Sequence, residues 1–159
     1  MRDKIKTIPE LQPLLGILRA CGKKIVFTNG CFDLLHTGHT RYLAKARSLG
    51  DILIIAVNSD ASVRDIKGDK RPINSCADRM ETLSALECVD FVTQFSEPDP
   101  YRIIAELQPD VLAKGGDWRV DQIIGRDIVE GRGGRVVSLG YIEGASTTGI
   151  IERIVQRYR

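Results

Sequence analysis

The most constraining feature of this sequence is an uninterrupted apolar run, Ile52-Leu53-Ile54-Ile55-Ala56-Val57, with no polar residue at alternate positions. Such a run is typical of a β-strand that is buried on both faces, as the strands of a parallel sheet are. Shorter runs that we interpret as strands lie at 25–27, 91–93, 111–113 and 135–139. The sequence therefore predicts a five-stranded parallel sheet covered by helices on both sides.

Helical patterns fill the stretches between these strands. Capping residues and apolar residues at helical spacing predict helices after Thr7, at 37–49, 60–65, 75–86 and 121–130, and after Asp99 and Ser146. Strands that alternate with helices indicate one doubly wound, Rossmann-like α/β domain. We expect this single domain to occupy residues 1–159, with residues 1–22 as an N-terminal helical extension.

Composition and charge exclude several classes of protein. Apolar residues make up 43% and charged residues 28% of the chain, which is ordinary for a soluble globular domain. Lys and Arg number 23 against 21 Asp and Glu, so a nucleic-acid or polybasic membrane surface is not expected. No apolar run has the roughly 18 residues of a membrane helix, and no apolar signal segment follows Met1. We expect a cytoplasmic protein whose four cysteines are reduced.

Both histidines of the chain lie at the first strand-to-helix junction. His36 and His39 are three residues apart, at the start of the helix that follows the first strand. Backbone N–H groups are unpaired there, the helix dipole favours an anion, and Gly38 lets a ligand come close to the backbone. Two imidazoles can donate hydrogen bonds to phosphate oxygens. The junction therefore predicts a phosphate site.

Other interpretations of the two histidines stay open at this point. They could be metal ligands on one helical face, although no glutamate separates them and no third ligand is evident. They could also be buried core residues whose nitrogens are satisfied internally. The sequence contains neither a P-loop nor a GxGxxG motif, so neither common glycine scheme would bind the phosphate.

The junction also carries a resemblance to a known family. Gly30-Cys31-Phe32-Asp33-Leu34-Leu35-His36-Thr37-Gly38-His39 resembles the GxFDxxHxGH signature of the nucleotidyltransferase superfamily, which includes cytidylyltransferases and adenylyltransferases. Gly144-Ala145-Ser146-Thr147-Thr148 resembles its second signature, GISTT. Further segments at 28–33, 56–60, 67–69, 71–72, 79–80 and 114–117 are similar to the adenylyltransferase domains of bacterial ADP-heptose synthases.

The resemblance spans about residues 5–158 and implies a free-standing form of that domain. It implies transfer of AMP from ATP to D-glycero-D-manno-heptose 1-phosphate, for lipopolysaccharide or other surface heptose. Mg²⁺ would arrive with ATP, because no acidic cluster suggests a protein cage for a metal. We further expect a homodimer that acts on small molecules.

One departure from the family bears on the nucleotide. Cytidylyltransferases for glycerol phosphate carry Arg-Thr where this chain has Tyr141 and Ile142, and Ala145 replaces the isoleucine of the second signature. This difference favours ATP over CTP. The alternatives are a cytidylyltransferase or FAD-synthetase-like enzyme for another small phosphate, a nucleotide-binding module without turnover, and a metal hydrolase that uses both histidines.

The charges of the two reactants and the resemblance together predict the site residues. ATP and a sugar phosphate carry about −5 to −6 between them, so cations must bring them together. The predicted catalytic residues are His36, His39 and Lys67. The predicted nucleotide-binding residues are Asn29, Gly30, Cys31, Phe32, Lys114, Gly116, Asp117, Ser146, Thr147 and Thr148. The predicted acceptor-binding residues are Asp33, Asn58, Asp60 and Arg71. Trp118 is either a stacking surface or structural, and Arg79 could form a structural ion pair.

Overall fold

A computed structural model of the chain describes residues 2–116, 118–140 and 146–158. In these residues the strands are β1 (Ile25–Gly30), β2 (Ile52–Asn58), β3 (Phe91–Phe95), β4 (Val111–Gly115) and β5 (Arg135–Leu139). The α-helices are α1 (Ile8–Ala20), α2 (Thr37–Arg47), α3 (Asp60–Lys67), α4 (Cys76–Ser84), α5 (Tyr101–Leu107), α6 (Arg126–Gly131) and α7 (Thr147–Arg157). Short 3-10 helices lie at Arg2–Lys4 and Val120–Gln122.

The strands form one parallel sheet in the order β3-β2-β1-β4-β5, which confirms the predicted fold class. The chain runs outward from β1 to β3 on one side and then crosses back to β4 and β5 on the other. The strand order therefore reverses between β1 and β4. Ligands of open α/β sheets bind beyond the carboxyl ends of the strands at such a reversal.

The core lies on both faces of the sheet, as the continuous apolar strands predict. Along β2, Leu53 and Ile55 pack on the face that α2 and α4 cover, whereas Ile54 packs on the face that α1, α5 and α6 cover. All three side chains are fully buried. Burying apolar surface on both faces of every central strand is the main stabilising contribution in such a fold.

The N-terminal residues pack against the rest of the domain. Lys4 Nζ donates hydrogen bonds to the carbonyl oxygens of Leu86 (3.1 Å) and Val89 (2.7 Å). From α1, Leu11 and Leu15 are buried in the same apolar cluster as the side chains of α5. The segment predicted as a helical extension therefore shares the core of the domain.

The predicted helix at 121–130 is wrong in its extent. The structure has a 3-10 helix at Val120–Gln122 and then α6 from Arg126. Gly125 separates them with a φ of +87°, a left-handed conformation that glycine adopts without strain. A Cβ at Gly125 would lie 2.6 Å from Ile104 Cδ1, so a larger residue there would also displace the Ile104 side chain. None of the described helices is long and apolar enough to cross a membrane.

Candidate functional site

A cavity of about 450 Å³ opens where the strand order reverses, beyond the carboxyl ends of β1 and β4. The N-termini of α2 and α7 also face it. The cavity brings together most of the predicted site residues: Asn29, Gly30, Cys31, Phe32, Asp33, His36, His39, Lys67, Arg71, Lys114, Gly116, Ser146, Thr147 and Thr148. Asn58 and Asp60 are not among its lining residues, and Asp117 lies outside the described residues.

The two histidines stack on each other at the start of α2. His36 precedes the helix and His39 lies in its first turn, where its N–H donates to the carbonyl oxygen of His36 at 2.9 Å. The ring centroids are 3.9 Å apart, and the ring planes meet at 24°. The Phe32 ring packs on His39 with its centroid 5.3 Å away. This packing fixes both imidazoles at the cavity wall.

Both imidazoles are uncharged near neutral pH. Burial lowers the pKa of His36, and burial together with the nearby His36 lowers the pKa of His39 to about 4. Both Nδ1 atoms are buried without a hydrogen-bond partner among the described residues. A core histidine satisfied by the protein would not leave this capacity unused. The geometry therefore favours a ligand-binding role for the pair.

A basic rim lies on the β2 side of the cavity. Lys67 is the last residue of α3, and Gly68 ends that helix with a φ of +88°. The chain then turns, with Arg71 N–H donating to the carbonyl oxygen of Gly68 at 3.0 Å. Lys67 and Arg71 both line the cavity. Two cations therefore border the histidine pair on this side.

Asp33 holds the loop that carries Arg71. Its carboxylate accepts hydrogen bonds from Arg71 Nε at 2.5 Å and from the backbone N–H groups of Ile73 and Asn74 at 2.9 Å. Burial by itself would raise the pKa of Asp33, but these hydrogen bonds and the Arg71 charge together lower it. Because the carboxylate is already occupied, its predicted contact with a sugar hydroxyl stays a prediction that this geometry does not support.

Arg79 connects several segments beneath the cavity. Its buried guanidinium donates to the carbonyl oxygens of Cys31 (2.5 Å), Asn58 (2.8 Å) and Asn74 (3.1 Å). It also pairs with the carboxylate of Asp60 at 2.7 Å. Arg79 thus forms a structural ion pair, which was one interpretation of this residue from the sequence. The acceptor-binding roles of Asn58 and Asp60 stay predictions, since the Asp60 carboxylate pairs with Arg79 and the Asn58 amide donates to Ser62 Oγ at 3.0 Å.

The opposite wall of the cavity is formed by β4 and the residues after it. Lys114 Nζ donates to Asn29 Oδ1 at 3.1 Å and lies 5.8 Å from the centroid of the Trp118 ring. Burial lowers the pKa of Lys114. Trp118 is 49% exposed, and Gly116 has a φ of +113° that favours glycine. This wall offers an aromatic face and bare backbone, which suit a base or a ribose.

Tyr42 lines the cavity and was not predicted from the sequence. Its hydroxyl donates to the carbonyl oxygen of Ala113 at 3.1 Å and also bonds to Thr28 Oγ1, and burial raises its pKa to about 12. A Cβ at Gly115 would lie 3.1 Å from the Tyr42 ring. The only sequence signal was helical spacing, because Tyr42 lies one turn after His39 on α2.

Two helix N-termini meet at the cavity. At the start of α7, Ser146 Oγ accepts a hydrogen bond from Gly149 N–H at 3.0 Å, and Thr147 Oγ1 donates to the carbonyl oxygen of Leu34 at 3.3 Å. Thr147 therefore links α7 to the loop before the histidines. The positive ends of α2 and α7 both favour an anion between them. Gly144 and Ala145 of the second signature lie outside the described residues.

Other parts of the described surface fit a ligand site less well. A more open depression of about 470 Å³ lies beside Tyr101 and Ile124. Its charged groups are paired internally, since Tyr101 Oη donates to Asp127 and Arg126 pairs with Glu130. Within residues 2–116, 118–140 and 146–158, no cluster of three or more His, Cys, Asp or Glu side chains is arranged to hold a metal ion.

The residues that form this site lie within a match to a known family. Residues 27–153 match the family model described as cytidylyltransferase-like. The chain therefore belongs to the cytidylyltransferase-like family, which confirms the resemblance of its two signatures.

Two relatives refine this assignment. The chain is 52% identical over 156 residues to the bifunctional protein HldE of Pelobacter propionicus and 49% identical over 155 residues to that of Geobacter sulfurreducens. In both comparisons 98% of this chain matches 32% of the relative, so the chain spans about a third of their length.

Solved structures share the fold. A lipopolysaccharide core biosynthesis protein from Thermoplasma volcanium superposes with a TM-score of 0.65 at 28% identity, over 77% of this chain and all of that protein. Pantoate-β-alanine ligase from Francisella tularensis superposes with a TM-score of 0.62 over 96% of this chain and 79% of the other. At 15% identity the second likeness concerns the fold alone.

Proposed function

We propose that this chain transfers AMP from ATP to D-glycero-D-manno-heptose 1-phosphate and releases pyrophosphate. The observation that carries the proposal is the stacked, uncharged pair of His36 and His39, which faces a cavity bordered by cations and by two helix N-termini. The similarity to HldE proteins over 98% of this chain supports the heptose phosphate as the acceptor. The name of the Thermoplasma relative supports a place in lipopolysaccharide synthesis.

In the proposed reaction an oxygen of the sugar phosphate attacks the α-phosphorus of ATP in line with the departing pyrophosphate. The new bond joins that oxygen to the α-phosphorus, and the bond from the α-phosphorus to the bridging oxygen breaks. Both reactants are anions, so the protein contributes chiefly by positioning them and by stabilising charge. No covalent enzyme intermediate is needed.

The histidines are proposed to hold the α-phosphate. As neutral imidazoles they can each donate one hydrogen bond to phosphate oxygens that gain charge in the transition state. The N-termini of α2 and α7 supply backbone N–H groups to the same phosphates. Lys67, on the β2 side of the rim, is proposed to neutralise negative charge on the reacting phosphates.

The nucleoside is proposed to lie along the β4 wall. Lys114, Gly116 and Trp118 provide a cation, open backbone and an aromatic face there. Asp117 is proposed to contact the nucleotide on the strength of the family resemblance. This placement leaves the β2 side of the cavity, beside Arg71, for the acceptor.

Mg²⁺ is proposed to arrive with ATP. Asp33 is the one carboxylate among the described cavity residues, and Arg71 and two backbone N–H groups already occupy it. Such a lining suits a metal held chiefly by phosphate oxygens. When bound, Mg²⁺ would neutralise part of the phosphate charge.

Two further parts of the proposal concern the setting of the enzyme. We place it in the cytoplasm, where ATP is available, and cell fractionation tests this.

We also propose a homodimer. Its support is that no side chain of α7 is buried, with Ile154 50% and Val155 40% exposed, so a second copy could cover this face. Ile154→Glu is expected to shift the sedimentation equilibrium towards the monomer.

The decisive experiment offers purified protein ATP or CTP together with the α and β anomers of heptose 1-phosphate. We expect ATP and one of the two anomers to give pyrophosphate and ADP-heptose, which are detected by mass spectrometry. His39→Ala serves as the control with strongly reduced turnover. Nucleotide binding without product would favour a regulatory module, and stoichiometric zinc would favour the hydrolase interpretation.

A further inference from the structure

The ion pair of Asp33 and Arg71 uses one side of the guanidinium and leaves the other side available. Arg71 Nε donates to Asp33 Oδ2 at 2.5 Å, and Arg71 also lines the cavity with its side chain 15% exposed. Among the described residues, neither Nη atom of Arg71 has a hydrogen-bond partner. Two parallel donors on a planar guanidinium match two oxygens of a phosphate group.

The carboxylate of Asp33 makes its hydrogen bonds within the protein. Its side chain is fully buried, and its oxygens also accept the N–H groups of Ile73 and Asn74 at 2.9 Å. In return, Asn74 Nδ2 donates to the carbonyl oxygen of Asp33 at 3.0 Å. The loop is therefore fastened to the residue that precedes the histidine turn, and Arg79 braces it through Asn74.

We propose that the Nη atoms of Arg71 bind the phosphate of the acceptor and that Asp33 is the positioning residue that aims them. This inference rests on the proposed function. The nucleoside wall lies at β4, and the histidine pair at β1 marks the α-phosphate. Arg71 approaches from the β2 side, so the anion nearest to it is the phosphate monoester of the sugar. Asp33 acts only through Arg71.

The test separates the two substrates kinetically. In Asp33→Asn the amide can place an NH₂ group against Arg71 Nε, so the guanidinium loses its fixed orientation. We expect KM for the sugar phosphate to rise by about 10-fold or more, while KM for ATP changes by less than about twofold. Arg71→Lys, which keeps the charge and loses the paired donors, is expected to act in the same direction.

Asp90→Asn is the matched control. Asp90 makes the same kind of contacts as Asp33. Its Oδ2 accepts hydrogen bonds from Arg47 Nε at 2.9 Å and from the backbone N–H of Leu53 at 2.7 Å. It lies at the amino ends of β2 and β3, away from the cavity. We expect Asp90→Asn to lower Tm and to leave both KM values unchanged.

Calorimetric binding of heptose 1-phosphate, with a nonhydrolysable ATP analogue present, gives a readout that needs no turnover. We expect wild type to bind and Asp33→Asn to bind about 10-fold or more weakly. The proposal is overturned if Asp33→Asn changes only Tm, as Asp90→Asn does, if KM for ATP rises instead, or if wild type binds no sugar phosphate. Binding by wild type without any transfer of AMP would overturn the proposed function and not this inference.

Discussion

His36 and His39 face each other as stacked rings 3.9 Å apart, and no carboxylate pairs with either ring among the described residues. Two uncharged imidazoles can lie this close without the repulsion that two imidazolium ions would feel. The histidine pair can therefore hold an anion through hydrogen bonds and adds no positive charge to that of the cations around the cavity.

Replacing either histidine should affect turnover and not folding. His36→Ala and His39→Ala are each expected to lower the single-turnover rate by about 100-fold, because a preorganised donor contributes roughly 3 kcal/mol to the transition state. Both variants should fold, since neither ring is part of the apolar core. Rate, Tm and bound metal are measured on the same preparations. Normal turnover per folded molecule in both variants would contradict the phosphate role.

The lowered pKa of His39 predicts a dependence of stability on pH. Its folded-state pKa of about 4 lies below the value of about 6.5 for an exposed histidine, so between them the unfolded chain binds more protons. The stability that a neutral His39 contributes is fully present above the pKa of the unfolded chain, about 6.5. It is lost as the pH falls towards the pKa of the folded chain, about 4. We expect Tm to fall more between about pH 7.5 and about pH 5 in wild type than in His39→Asn. Equal decreases would show that His39 does not titrate this way.

Lys67→Ala is expected to lower kcat far more than it weakens ATP binding. Lys67 is exposed at the end of α3, on the rim of the cavity, and a cation that reaches the phosphates there contributes mainly in the transition state. The measurement compares kcat with the Kd for ATP. Lys70→Ala is the control, because Lys70 lies in the turn just after Lys67 and is not among the described cavity residues. Equal losses in binding and turnover would assign Lys67 to ground-state binding.

ATP is expected to be used in preference to CTP. The segment at 114–117 is similar to adenylyltransferase domains, and the Arg-Thr pair of glycerol-phosphate cytidylyltransferases is replaced by Tyr141 and Ile142. The values of kcat/KM for the two nucleotides with heptose 1-phosphate test this. A higher value with CTP would contradict the assignment.

Arg79→Gln is expected to destabilise the fold by about 3 kcal/mol or more. The substitution leaves the carbonyl oxygens of Cys31, Asn58 and Asn74 without their donor in a buried place. Arg102→Gln is the control, since the Arg102 side chain is 72% exposed and such ion pairs contribute at most about 1 kcal/mol. Urea denaturation measures both variants. Similar midpoints would show that Arg79 contributes little to stability.

Much of the fold could be predicted from the sequence because each strand can be recognised from a short run of its own residues. The run at 52–57 is apolar at every position, and only a strand covered on both faces needs that. The prediction of one helix at 121–130 was wrong because Gly125 adopts a left-handed conformation where Ile104 packs against it. These two residues are 21 positions apart in the sequence. Composition alone does not reveal such a contact.

The candidate site was predictable where the residues share one motif and less so where they meet across the chain. Both histidines stand in one signature, and the cavity contains them together. Asp33 and Arg71 are separated by 38 positions, and Arg79 reaches Cys31 across 48. Nothing local indicates that Asp33 orients an arginine or that Arg79 joins the strand ends. These roles depend on which loops the sheet brings together.

The contact of the N-terminal residues with β3 also affects how molecules meet one another. β3 is at the edge of the sheet, and Ile5 forms a bridge with Val92 there while Lys6 N–H donates to the Val92 carbonyl oxygen at 2.9 Å. An uncovered edge offers its backbone groups to strands of other molecules, which is a common start of aggregation. A chain trimmed past Lys6 would leave the Val92 carbonyl oxygen unpaired at this edge, so we expect it to aggregate more readily.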